Sequence, residues 1–234
     1  MHPVILVHGG WAGGWQWEPV AARLRARGLH TLAPTLPGLG SRKGEATAEM
    51  DLSSYISDIE QVVQKRSALS SAEQNGVNLV GFSYSGMVIT GVADRIPSFV
   101  KKLVYVDAFI LRDGQSLTDI FGPRIAESMH TFTQLYGDGW RVPSFLDKDP
   151  RLTPQPIKTT TEPVNVSNPD ADSVPRVYIH CSQKSREWIF TPILDRCAEY
   201  ARQQGWDYYE IPSNHFPMET APETLSELLL AVLE

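Results

Sequence analysis

The stretch Leu79-Val80-Gly81-Phe82-Ser83-Tyr84-Ser85-Gly86-Met87 decides the fold. An apolar run climbs into a serine ringed by small residues, and a helical pattern follows. A serine at a sharp strand-to-helix turn is lifted clear of a sheet only when the residues two before and two after it are small, because strand and helix approach closely there. Gly81 meets that need fully; Ser85 meets it less well, and Gly86 directly behind it is expected to ease the crowding. Reading Ser85 as the raised serine would put Ser83 and Met87 at the tight positions, so Ser83 is the better candidate.

Working outward, short runs rich in Val, Leu and Ile recur at residues 4–7, 29–33, 77–80, 103–106, 177–179 and 208–211. Without strict polar alternation they suit strands buried on both faces, as in a parallel sheet. Helical patterns lie between them. Residues 18–27 place Val20 and Leu24 on one face and stop at Gly28, and residues 52–63 repeat Leu52, Ile56, Ile59 and Val63. Near the C-terminus Thr220-Ala221-Pro222-Glu223 has capping-box spacing, ahead of a stripe of Leu225, Leu228, Leu229 and Val232. Alternating strand and helix predicts an α/β fold: a mostly parallel sheet flanked by helices on both faces through right-handed crossovers. At 234 residues one domain, spanning 1–234, is expected. Residues 112–172 break the pattern, with Pro123, Pro143, Pro150, Pro154, Pro156, Pro163 and Pro169 and the aromatics Phe121, Phe132, Tyr136, Trp140 and Phe145. So long an excursion without a buried strand reads as a lid over a site.

Composition narrows the function classes. A hydrophobic share of 42% with 21% charged residues is ordinary for a globular protein, and a formal net charge of -6 argues against a polyanion, so no nucleic acid partner is expected. Two cysteines, Cys181 and Cys197, are too few for a disulfide framework and are expected to be reduced. The leading His2-Pro3-Val4-Ile5-Leu6-Val7 lacks a basic flank and falls far short of the roughly 20 apolar residues that span a bilayer, so the expectation is a cytoplasmic protein with no membrane partner. The histidines show neither H-x-H nor H-E-x-x-H spacing, and no metal is expected.

Serine is a weak nucleophile at neutral pH and needs a base, and that base needs an orienting group. His215 falls in the loop between the last strand and the last helix. In a parallel sheet that loop leaves the carboxyl edge, where the Ser83 loop also emerges, so the two can meet. The loop after residues 177–179, where an acid most often stands, reads His180-Cys181-Ser182-Gln183-Lys184-Ser185-Arg186-Glu187, with a lysine in the acid's place. Asp107 instead ends the strand one beyond the Ser83 turn, on the same edge, and is the preferred acid; Glu187 and Asp195 are weaker substitutes. Acyl transfer also builds an oxyanion that two preorganised backbone N–H groups must meet. Tyr84, following the nucleophile, offers one. The first-strand loop His8-Gly9-Gly10-Trp11 resembles the H-G-G element of esterases, and Gly10 offers the other. The run through Gly14 fits neither G-x-G-x-x-G nor the Walker pattern, so phosphate binding is not expected. Gly9, Trp11, Phe109 and Phe216 flank these groups and are candidates for binding substrate. Trp15 and Trp17 are further candidates for an apolar wall, with at least one of the three tryptophans expected to pack on the sheet instead.

With strand–H-G-G, strand–G-x-S-x-S-G and strand–His elements in this order, the chain resembles the α/β-hydrolase superfamily over nearly its whole length. Within it, His8-Gly9-Gly10-Trp11-Ala12-Gly13-Gly14-Trp15 and the Ser83 segment resemble the compact branch of methyl-salicylate-type esterases, hydroxynitrile lyases and bacterial esterases. The resemblance implies a core starting at the third strand of the full fold, a lid, a Ser83-His215 pair and no cofactor. Hydroxynitrile lyases carry a threonine after the first-loop histidine and a lysine after the base; Gly9 and Phe216 stand there, so cyanohydrin cleavage is not expected. The expected activity is cofactor-independent hydrolysis of a small carboxylic ester through an acyl-enzyme on Ser83, by a monomer or homodimer. The alternatives left open are an amide or carbamate substrate, a dioxygenase or lyase using a His215-Asp107 dyad, and a non-catalytic ligand receptor.

Overall fold

In a computed structural model, which describes residues 2–68, 76–144 and 149–233, eight strands and nine α-helices are seen among the described residues. In chain order they are β1 (Val4–Val7), α1 (Glu18–Ala26), β2 (Thr31–Leu32), α2 (Leu52–Ala68), β3 (Val77–Phe82), α3 (Ser85–Arg95), β4 (Val100–Val106), α4 (Leu117–Phe121), α5 (Pro123–Tyr136), β5 (Arg141–Val142), β6 (Gln155–Pro156), α6 (Lys158–Thr161), β7 (Arg176–Cys181), α7 (Thr191–Gln203), β8 (Asp207–Ile211), α8 (Pro217–Thr220) and α9 (Pro222–Leu233).

Six strands form one sheet in the order β2-β1-β3-β4-β7-β8, every pair parallel. The predicted runs are all present. The run at 29–33 shrinks to two paired residues, because it is the sheet edge, where Leu32 is exposed. β1 and β3 are buried throughout, as strands covered on both faces must be. One face packs Leu52, Ile56, Ile59 and Val63 of α2, Val88 and Val92 of α3, and α7. The other packs Val20 and Leu24 of α1 against Leu225, Leu229 and Val232 of α9. The registers Val7↔Gly81, Phe82↔Val106 and Val106↔Ile179 align the carboxyl ends of four neighbouring strands. Loops leaving those ends share one rim.

Thr220 does not cap α9. Its hydroxyl reaches Ser213 Oγ at 2.7 Å and Phe216 O at 3.0 Å, bracing the loop that carries His215. The lid lies between β4 and β7. It holds α4, with a reciprocal Ser116–Asp119 capping box, then α5, α6 and a short antiparallel ladder of β5 with β6 that no residue pattern announces. Phe121 is buried, whereas Phe132 and Tyr136 on α5 are exposed; Phe145 lies outside the described residues. Among the described residues no helix is long and apolar enough to cross a membrane.

Candidate active site

Ser83 sits between β3 and α3 with φ +53°, in the left-handed region, and its N–H donates to Val106 O at 3.2 Å. A Cβ on Gly81 would stand 2.9 Å from both Ser85 O and Ile89 Cδ1, so the turn needs a glycine there. Ser85 is used rather than tolerated. Its hydroxyl accepts from Phe82 N at 2.8 Å and lies 2.7 Å from Val7 O, fastening the turn to β1 and β3. Gly86 serves a different neighbour from the one expected: a Cβ there would lie 2.3 Å from Phe109 O, so its bareness admits the β4 loop.

His215 Nε2 accepts from Ser83 Oγ at 2.9 Å, and its Nδ1 donates to Asp107 Oδ2 at 2.7 Å. Phe82 and Trp188 flank the imidazole at ring distances of 4.8 and 4.7 Å. Asp107 is fully buried beneath it, with φ +40°. Burial alone would raise its carboxyl pKa, but the hydrogen bond and charge of His215, joined by the ammonium of Lys184, hold it below the ordinary value. Lys184 Nζ donates to Asp107 Oδ1 at 2.7 Å. A lysine standing in the usual acid's place, with the acid displaced to Asp107, is the signal in the sequence that pairs the two. Glu187 is exposed, and Asp195 meets His180 and Lys184 instead, so neither substitutes for Asp107.

The β1 loop faces the same cavity. Gly9 N–H donates to Gln16 Oε1 at 3.1 Å and Trp11 N–H to Gln155 Oε1 at 3.0 Å. Among the described residues no acceptor engages the amides of Gly10 or Tyr84. A Cβ on Gly10 would lie 3.7 Å from Tyr84 Cβ, which puts the two backbones side by side. His8 is structural: Nδ1 donates to Gly9 O at 2.8 Å, Nε2 accepts from Leu36 N at 3.0 Å, and burial depresses its pKa to about 4.

Gly9, Gly10, Trp11, Ser83, Tyr84, Phe109, His215 and Phe216 all border one cavity, with Asp107 behind His215. Trp17 is buried against Phe82 and Trp15 stacks under Arg151, so Trp11 is the tryptophan of that segment on the cavity. Sequence reasoning missed Phe121, Met129 and Gln155 of the lid and Trp188 and Phe190 of the β7–α7 loop as lining residues, because tertiary packing brings them there. Trp11 is fastened to the lid three ways, through Gln155 Oε1, Val142 O at 3.0 Å and Thr153 N at 2.9 Å. Tyr84 adds a fourth tie, its hydroxyl donating to Thr159 O at 2.7 Å. Among the described residues no group of three His, Cys, Asp or Glu side chains is placed to hold a metal ion.

A hydroxyl hydrogen-bonded to an imidazole that is in turn hydrogen-bonded to a buried carboxylate can surrender its proton as it attacks an electrophile. The fold has counterparts. A carbendazim hydrolyzing esterase from Nocardioides sp. is 31% identical, the alignment covering 97% of this chain and 98% of that one. An extracellular alpha/beta-hydrolase from a Paenibacillus species, described as sharing structural and functional homology with tobacco salicylic acid binding protein 2, superposes with a TM-score of 0.80 at 19% identity, covering 99% and 98% of the two chains. A pyrethroid hydrolase from Sphingobium faniae superposes with a TM-score of 0.75 at 19% identity, covering 98% and 96%. Residues 4–228 match the sequence profile of the alpha/beta hydrolase family, and the chain belongs to that family.

Proposed function

We propose that this protein hydrolyses a small carboxylic ester through an acyl-enzyme on Ser83. The observation that carries this reading is the unbroken hydrogen-bonded chain Ser83 Oγ–His215–Asp107, at 2.9 and 2.7 Å, opening beside two unengaged amides. Ser83 Oγ attacks the carbonyl carbon while His215 Nε2 takes its proton. The oxyanion is met by the N–H groups of Gly10 and Tyr84. Collapse breaks the bond to the alkoxy group, which leaves as the alcohol with the proton from His215. Water, deprotonated by the same imidazole, then attacks the acyl carbon, releasing the acid and restoring Ser83.

The cavity walls favour an apolar substrate: Trp11, Phe109, Phe121, Trp188, Phe190 and Phe216 surround the serine. The relative named for hydrolysing carbendazim and the pyrethroid hydrolase support hydrolytic chemistry on this scaffold. The partner is a small molecule, without nucleic acid or membrane, and the working unit is a monomer or homodimer in the cytoplasm. The net charge of -6 and two free, buried cysteines support that placement.

A fluorophosphonate probe with mass mapping tests the reading. One adduct per chain is expected, on Ser83, and Ser83→Ala should lose it together with about 10⁶-fold in ester turnover. Folded protein that takes no label would overturn covalent catalysis and favour a His215-Asp107 dyad acting alone.

A further inference from the structure

Lys184 is buried with its partner: its side chain is 2% exposed and that of Asp107 0%. The ammonium also donates to Cys181 O at 2.7 Å and stands 3.4 Å from the exposed Asp195. The titratable groups around Asp107 come from every neighbouring element: Tyr178, His180 and Cys181 on β7, Asp195 and Cys197 on α7, Tyr208 and Glu210 on β8, and His215. Burial favours the uncharged forms of the two cysteines and of Tyr178 and Tyr208, and it lowers the pKa of His180, with Lys184 adding to that effect. Lys184 is therefore the cation that faces the buried carboxylate at hydrogen-bond distance.

The carboxylate has two oxygens with separate duties. Oδ1 accepts from Lys184 Nζ and from Cys181 N at 3.2 Å, which leaves Oδ2 for His215. Resting on the reading of Ser83, His215 and Asp107 given above, we propose that Lys184 is a positioning residue. It fixes the rotation of Asp107 and offsets its charge, thereby setting how strongly His215 holds a proton. An anion within a few ångströms favours the imidazolium and a cation behind that anion opposes it. The loop after β7 thus contributes the counter-charge, having ceded the acid to the loop after β4.

The test is the pH dependence of the second-order rate at which the fluorophosphonate labels Ser83, which needs unprotonated His215 but no knowledge of the substrate. In Lys184→Met and Lys184→Gln the acidic limb of that profile should move to higher pH by about one unit or more. The plateau rate of Lys184→Met should fall about tenfold, the worth of one charge-assisted hydrogen bond. Lys184→Gln keeps an N–H donor and should recover most of the plateau without restoring the limb. Lys184→Arg keeps the charge and should hold the limb near its wild-type position. The shift should persist when His180→Gln is added to Lys184→Gln, which removes the second imidazole as its source. Should Lys184→Met fail to fold, the polar Lys184→Gln carries the same limb shift. A Lys184→Gln profile that overlays the wild type overturns the proposal while leaving the Ser83 reading intact. Absence of label on folded wild type removes that reading, and this proposal with it.

Discussion

The sheet rim and the lid supply facing walls of one cavity, and different physics places their residues. On the rim, Ser83 and Asp107 each directly follow a strand end and each has positive φ, a conformation that costs about 1–3 kcal/mol per residue and persists only where surrounding contacts over-determine it. Those contacts are backbone bonds between neighbouring loops: Ser83 N to Val106 O, Asp107 N to Ile179 O and Phe109 N to Ser83 O. The lid is tied down mostly by bonds with one side-chain partner, Trp11 N to Gln155 Oε1, Trp11 Nε1 to Val142 O and the Tyr84 hydroxyl to Thr159 O, beside one backbone bond from Thr153 N to Trp11 O. A rim built from main chain holds reacting groups still. A lid tied down largely through side chains shapes what reaches them.

On that division, damage should fall off with distance from the rim. Asp107→Asn keeps the shape but offers His215 the wrong hydrogen-bonding partner, and kcat should fall about 10⁴-fold with the fold intact by circular dichroism. Survival of activity in that variant together with its loss in Glu187→Gln would move the acid elsewhere. His8 comes next, and its effect is on stability. Its pKa is about 4 in the fold against 6.5 unfolded, so on acidification the unfolded chain binds the proton first. Stability is intact above pH 6.5 and drains away as the pH drops to about 4, by about 3 kcal/mol in all. Urea unfolding of wild type and His8→Gln at pH 7 and pH 4.5 should show the variant lacking most of that slope.

Smaller effects belong to the lid. Gln155→Leu leaves the Trp11 N–H without its acceptor and should lower kcat/KM about tenfold by loosening the loop that holds Gly10, with a change in Tm as the accompanying check. On the outer face of α5, Leu135 and Tyr136 are 66% and 69% exposed. Tyr136→Ser should change unfolding free energy by no more than about 0.5 kcal/mol and leave kcat alone. A large loss there would mean that this face carries weight the rim does not share.

The sequence was legible where local geometry dictates residue type. Small residues around Ser83, paired glycines after β1 and an aspartate at the end of β4 are demands of backbone conformation, so they announce themselves in one dimension. The meeting of His215 with Asp107 followed from the parallel sheet, whose carboxyl edge carries both loops. What stayed hidden depends on contacts distant in sequence. Gln155 accepts from an amide 144 residues away, which no periodicity encodes. The two-residue β5 and β6 are too short to read as strands, and Thr220 looked like a helix cap because its spacing fits one, although its hydroxyl turned to the His215 loop. The Lys184 contact with Asp107 joins residues 77 apart in the chain, and no local pattern around Lys184 encodes it.

The ties between Trp11, Tyr84 and the lid also have a mechanical side. Gly10 has Trp11 as its chain neighbour, and the other amide belongs to Tyr84 itself, so both hydrogen-bond donors share a chassis with the cover above them. Such a cover cannot swing as an independent flap. In the mechanism proposed above, displacing it would disturb the two donors that meet the oxyanion, so full catalytic strength would require a shut chamber.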